Sequence, residues 1–204
     1  MADTPVAIHS MFDLEQFVSE CHAVLALDAP QEQVRDIVAR ALSRRAAVLD
    51  TLGEPTRAGL HELYRCAELT IVNVVWSPMM TIPPHNHSMW AVIGVYTGRE
   101  DNIFWRRVPG SLGRVHAAGA RALCAGDCQL LGRDVIHSVT NPIRRLTGAI
   151  HVYGGDFLDP EHRSEWNAET LLEGPFDLAR ARERFADANA SYLSSPLTPG
   201  ESVS

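Results

Sequence analysis

At 204 residues, with 46% apolar and 21% charged side chains, the chain has the composition of a folded globular protein with enough apolar surface for a real core. Its formal net charge of −7 argues against nucleic-acid and anionic-membrane partners, and a small anionic substrate would have to be held by locally placed arginines. No run approaches the roughly 18 apolar residues of a membrane span, and the opening MADTPVAIHSMFDLEQF lacks a basic-then-apolar signal pattern, so a cytoplasmic location is expected.

In chain order, the stretch from Phe12 to about Leu52 reads as two or more packed helices. Phe12, Leu14, Phe17 and Val18 recur at three- and four-residue spacings, and a second helical run opens at Pro30 and closes at Gly53. After Pro55 the pattern changes to short stretches rich in β-branched and aromatic residues: ELTIVNVVWSP, SMWAVIGVYTG, DNIFWRRV, RALCAGDCQLLG, HSVTNP and LTGAIHVYGGDF. With no helices between them, these strands indicate an antiparallel sandwich or barrel. GREDN, from Gly98 to Asn102, reads as a hairpin connection, and GSLGRVHAAGA as turn-rich. After Asp159 the chain turns helical again in DLARARERFADANASYL and ends in SSPLTPGESVS, a composition expected of a mobile terminus. Without a repeat or an interdomain linker, the reading is one domain: a helical segment over residues 1–60 packed on a barrel over 61–160, then a helical extension and tail over 161–204. The four cysteines are expected to be free thiols, since CAGDC has no second Cys/His pair of zinc-finger spacing.

The chemistry-bearing feature of the β region is its histidines. In TIPPHNHSMWAVIGVYTG, His85 and His87 stand two apart, so on a strand both rings point the same way and can supply adjacent positions on one cation. Two ligands rarely hold a divalent ion firmly, and GDCQLLGRDVIHSVTNP offers a third, His137, four residues before Asn141. His151 and Tyr153 share a strand face in AIHVYGG. His9, His22, His61, His116 and His162 read as surface or structural residues.

Together, PPHNHSMWAVIGVYTG (His85, His87, Gly98) and GDCQLLGRDVIHSVTN (His137, Asn141) resemble the two motifs of the cupins, in the right order. That resemblance implies an all-β core folded as the cupin double-stranded β-helix, a jelly-roll barrel, here with N-terminal and C-terminal helices. The departures are informative. Ala91 stands where many cupins carry a metal-binding glutamate, and Gly132-Arg133-Asp134 replaces the usual Pro-x-Gly turn, which leaves three histidines and no ligand charge. In this the chain is similar to the thiol dioxygenases, cysteine dioxygenase and its bacterial relatives acting on 3-mercaptopropionate, which carry a Ser-x-His-x-Tyr element matched here by Ala149, His151 and Tyr153. Ala91-Val92 lies near the place of the crosslinking cysteine of mammalian cysteine dioxygenase, so no thioether is expected and the likeness is to the bacterial type.

The resemblance implies Fe(II) held by His85, His87 and His137, and addition of O2 to the sulfur of a small anionic thiol without an organic cofactor. Tyr153 would hydrogen-bond substrate or oxygen at the metal, His151 would orient Tyr153, and Arg65 or Arg163 would grip a substrate carboxylate. Another metal-dependent cupin enzyme acting on a non-thiol small molecule, or a non-catalytic ligand-binding cupin, stands as the alternative. A monomer or homodimer is expected.

Overall fold

A computed structural model describes residues 11–159 and 161–194; residues 195–204, which hold nearly all of the expected mobile terminus, lie outside the described residues, as does His9. Three helices come first: α1 (Leu14–Ala23), α2 (Pro30–Leu42) and α3 (Arg45–Leu52). Asp13 caps α1 by accepting from the Gln16 amide, and Pro30, whose missing N–H costs nothing in a first turn, opens α2. The buried face of α2, Val34, Ile37, Val38, Ala41 and Leu42, follows the three/four spacing of a single helical stripe.

Eleven strands follow before the last helix among the described residues: β1 (Gly59–Arg65), β2 (Thr70–Trp76), β3 (Thr81–Asn86), β4 (Ala91–Thr97), β5 (Arg99–Arg107), β6 (Val115–Cys124), β7 (Cys128–Leu131), β8 (Ile136–Thr140), β9 (Thr147–Tyr153), β10 (Ser164–Trp166), β11 (Glu173–Pro175), then α4 (Leu178–Ser194). They form two antiparallel sheets, one in the order β1-β2-β9-β4-β7 and the other β11-β10-β3-β8-β5-β6. This is the double-stranded β-helix that the cupin motifs imply, with helices before and after it. Among the described residues no helix is long and apolar enough to cross a membrane.

The five-stranded sheet is buried on both faces, and side-chain alternation sorts its residues between two cores. Ile71, Val92, Ile150 and Val152 face the N-terminal helices together with Val34, Val38 and Leu42. Val72, Val74, Trp76, Ile93, Val95, Ala149 and Tyr153 face the interior, with Val139 from the other sheet. Gly94 lets α2 approach: a Cβ there would lie 2.5 Å from Val38 Cγ1. On β9 this parity aims His151 and Tyr153 inward, because Ile150 and Val152 are taken by the helices.

Three expectations need correction. GREDN is not a hairpin: β4 and β5 lie in different sheets, and the chain crosses between them at Gly98, with Arg99 to Asn102 already in β5. Gly98 adopts φ +84, and a Cβ would come within 2.8 Å of the Thr147 Cα, so only glycine fits the crossing. In GSLGRVHAAGA the turn ends before Val115, and VHAAGA belongs to the ten-residue strand β6, which pairs with β5 along its length. The segment from residue 161 is not simply helical, because β10 and β11 extend the six-stranded sheet before α4 begins. Asn189 fastens α4 to the start of the barrel, exchanging two 2.8 Å hydrogen bonds with the Ala58 backbone.

Candidate metal centre

β3 begins regularly against β8, then meets Pro83 and Pro84, which have no N–H to give a ladder; the register shifts between Ile82 and His85, and His85 resumes opposite His137. The same bulge turns the Pro83 carbonyl toward the ring two residues on, and His85 Nδ1 donates to it at 2.9 Å. This leaves Nε2 of His85 as a lone pair pointing inward. His137 is set likewise, its Nδ1 donating to Asn102 Oδ1 at 2.7 Å. His87 lies between them: its Nε2 is 3.2 Å from Nε2 of His85 and 3.2 Å from Nε2 of His137.

Two nitrogens each at about 2.0 to 2.1 Å from one ion and subtending roughly 90 to 110° stand about 2.9 to 3.4 Å apart, so the observed separations fit ligands of a shared metal. Among the described residues this is the one cluster with metal-ligand geometry, and no acidic side chain or cysteine belongs to it. Burial, first of all, and the neighbouring charges push the three imidazoles toward the neutral form that a metal needs: His85 falls to about 4, and His87 and His137 lie well below the usual histidine range.

Beside the triad, Tyr153 stacks on Phe157 with ring centroids 3.8 Å apart and sets its ring edge-on to His87 at 5.1 Å. Burial pushes its phenol far above the ordinary range, so the hydroxyl keeps its proton. That hydroxyl is 2.9 Å from His151 Nδ1, and His151 Nε2 is 3.3 Å from Glu100 Oε2. The histidines and Tyr153 line a cavity of about 40 Å³, space for two or three water-sized groups. Its remaining walls include Trp76, Phe157, Phe176 and Phe185.

The two candidate arginines part company. Arg65 is outside the cavity, half exposed and engaged fork-to-fork with Asp156 at 2.8 Å, so its guanidinium is already satisfied. Arg163 is 4% exposed, and none of its three guanidinium nitrogens has a hydrogen-bond partner. It sits between the rings of Phe157 and Phe176, 4.7 and 4.3 Å from their centroids, and so lies against two residues of the cavity wall without itself lining the cavity. Burial lowers its pKa to about 10, and its charge in turn helps depress His85 and His87. β10 delivers it: Glu165 pairs with His85, Ser164 N donates to Asn86 Oδ1, and Ser88 Oγ donates to the His162 carbonyl. Ser88 and His162, at φ 56 and 63, hold strained left-handed backbone on either side of this junction.

Asn102 and Glu100, which hydrogen-bond His137 and His151, are not among the residues that the sequence pointed to. Asn141, the last residue of the second motif, is not at the site; it braces a turn, its amide donating to the carbonyls of Ser77 and Arg145. All four cysteines are free.

No family model matches the sequence. Solved structures similar to it include a cupin family protein with a double-stranded β-helix fold from Methanocaldococcus jannaschii, at 10% identity over 52% of this chain and 86% of that one, with TM-score 0.42. A conserved protein with a double-stranded β-helix domain from Klebsiella pneumoniae is similar at 15% identity over 53% of this chain and 87% of its own, with TM-score 0.40. Oxalate decarboxylase from Bacillus subtilis is similar at 14% identity over 48% of this chain, with TM-score 0.39, and the match spans 24% of that enzyme. These are likenesses of fold.

Proposed function

We propose that this chain is a metal-dependent oxygenase of cupin fold, a non-haem iron dioxygenase that converts a small thiol bearing a carboxylate to its sulfinate. The observation that carries this reading is the charge balance of the cavity. Three neutral imidazoles leave a divalent ion's charge uncompensated by any ligand in the cluster, and Arg163 adds a buried cation without a hydrogen-bond partner against the wall residues Phe157 and Phe176. A substrate with a thiolate at one end and a carboxylate at the other gives each of these cations an anionic partner.

His85, His87 and His137 would hold the ferrous ion, which supplies the electron path between sulfur and O2. The net change is RSH + O2 → RSO2⁻ + H⁺. Two S–O bonds form, the O–O and S–H bonds break, and all four electrons that reduce O2 come from sulfur, so no external reductant enters. Arg163 binds the carboxylate through its N–H fork, held flat by Phe157 and Phe176. The Tyr153 hydroxyl donates to His151 Nδ1, so its oxygen turns lone pairs to the cavity and accepts a hydrogen bond from the incoming thiol. The proton leaving sulfur then has a path through that oxygen to Nδ1 of His151. The phenylalanines and Trp76 would exclude water from the reacting atoms and keep the cavity narrow.

The test is oxygen uptake by the iron-loaded protein with cysteine, 3-mercaptopropionate, mercaptosuccinate and cysteamine, and with acetylacetone as the non-thiol control. Uptake is expected with the small carboxylate-bearing thiols, with sulfinate formed in equal amount, and poor uptake with cysteamine, which has no carboxylate. Uptake with the diketone alone would overturn the assignment in favour of a carbon–carbon-cleaving reaction at the same triad.

A further inference from the structure

Glu100 is fully buried in the barrel and its carboxyl group accepts three N–H donors. Resting on the reading of the triad as a metal site, we propose that Glu100 is the positioning residue of this centre, setting the tautomer of His151 directly and that of His137 through Asn102. The polarity of every link can be traced. An amide oxygen only accepts, so the 2.7 Å contact of Asn102 Oδ1 requires the proton on His137 Nδ1 and leaves Nε2 free for the metal. The same orientation turns Asn102 Nδ2 to Glu100 Oε1 at 3.1 Å. Oε2 accepts from the Trp76 indole, which can only donate, at 2.9 Å, and from His151 Nε2 at 3.3 Å. With that proton on Nε2, Nδ1 of His151 accepts from Tyr153.

The strand pattern explains how one side chain reaches so far. Glu100 and Asn102 are alternate residues of β5, and His151 and Tyr153 alternate residues of β9. Those strands belong to opposite sheets, so the carboxyl group joins the two halves of the barrel across its interior. Ala149, two residues before His151, has no side-chain polar atom to offer, and Nε2 of His151 is engaged by Glu100 instead.

The substitution Glu100→Gln keeps the shape and breaks the polarity. If the new amide oxygen takes the Oε2 position, its NH2 faces the NH2 of Asn102, which must flip and so drives the proton of His137 from Nδ1 to Nε2. If it takes the Oε1 position, its NH2 faces His151, which must become an acceptor at Nε2 and a donor at Nδ1. One histidine tautomer inverts either way. Adding Asn102→Asp restores complementarity, because an acid at 102 accepts from both the amide at 100 and His137 Nδ1.

The experiment reads nitrogen shifts of ¹⁵N-histidine-labelled, zinc-loaded protein, and zinc affinity by chelator competition. The parent is expected to show His137 protonated on Nδ1 and His151 on Nε2. Glu100→Gln is expected to invert one of them, with zinc binding weakened roughly 10- to 100-fold where it is His137, and Glu100→Gln/Asn102→Asp to restore parental tautomers and affinity. Parental tautomers and affinity in the single variant would overturn the proposal. So would a double variant that fails to restore them, and should the single variant not fold, the double variant alone decides in the same way. If the parent binds no zinc, the reading of the triad fails, while the tautomers of His137 and His151 in the metal-free parent and variants, one of which Glu100→Gln must invert, still decide the role of Glu100.

Discussion

Replacing Arg163 by methionine separates function from stability because the two should move in opposite directions. Burial lowers the guanidinium pKa from its ordinary value to about 10; at 1.36 kcal/mol for each pK unit, holding the charge there costs about 3 kcal/mol. Stacking between Phe157 and Phe176 returns roughly 2 kcal/mol of this for a desolvated cation over aromatic faces. Methionine keeps an unbranched apolar stem, so the variant should gain about 1 kcal/mol and melt roughly 2 to 4 °C higher for a chain of this size. Binding should suffer far more. Leaving a substrate carboxylate without its buried partner costs about 2 to 5 kcal/mol, so KM for 3-mercaptopropionate should rise about 30-fold or more. Arg163→Lys, which keeps the charge but loses the fork, should fall between the two. The assays are thermal unfolding and oxygen uptake on the iron-loaded proteins. A lower melting temperature with an unchanged KM would refute the reasoning and make Arg163 a packing residue.

Truncating His137 to alanine should abolish iron retention after dialysis while the far-ultraviolet circular dichroism stays that of the parent; a variant that holds iron as firmly would exclude this histidine as a ligand. Tyr153→Phe should leave metal content unchanged and slow turnover by about 100-fold, the usual loss for a group that handles a proton, and unaltered kinetics would return the tyrosine to a packing role. The apoprotein should lose stability as pH falls from 6.5 toward 4. His85 has a folded pKa depressed to about 4, so in this window the unfolded chain binds the extra proton and stability rises with pH. His85 alone contributes about 3 kcal/mol, fully present above pH 6.5 and lost below 4. Urea midpoints measured across that range check this, and a flat profile would show that the imidazole titrates as it does in water.

The triad was legible because it depends on local spacing: His85 and His87 two apart, and a third histidine in a second motif whose strand, β8, pairs with β3. The helices flanking the barrel were legible for the same reason, through apolar residues at three and four. What encloses the site was not. β10 and β11 are three residues each with no strand pattern of their own; β10 becomes a strand only because the edge of β3 is there to pair with, and β11 pairs in turn with β10. Arg163 could be named as a charge, but its burial follows from Phe157 and Phe176, six residues before it and thirteen after, folding back over its two faces.

Glu100 shows the deeper reason. In Arg99-Glu100-Asp101-Asn102 four polar residues in a row read as solvated turn, and no local rule says otherwise. Once Gly98 sends the chain into the second sheet, strand parity divides them: Arg99 and Asp101 pair with each other outside at 2.7 Å, while Glu100 and Asn102 turn into the barrel. A buried acid is tolerable only where donors wait for it, and the donors here come from β2, β5 and β9, two of which lie in the other sheet. The polar run therefore acquires its role from the crossing at a single glycine, and Gly98→Ala should damage the centre without touching any of its polar atoms. A Cβ there meets Thr147, displacing β5 and with it Glu100, so metal affinity and stability should fall together. An alanine variant with parental metal affinity would show that the array holds its own alignment whatever the strand crossing does.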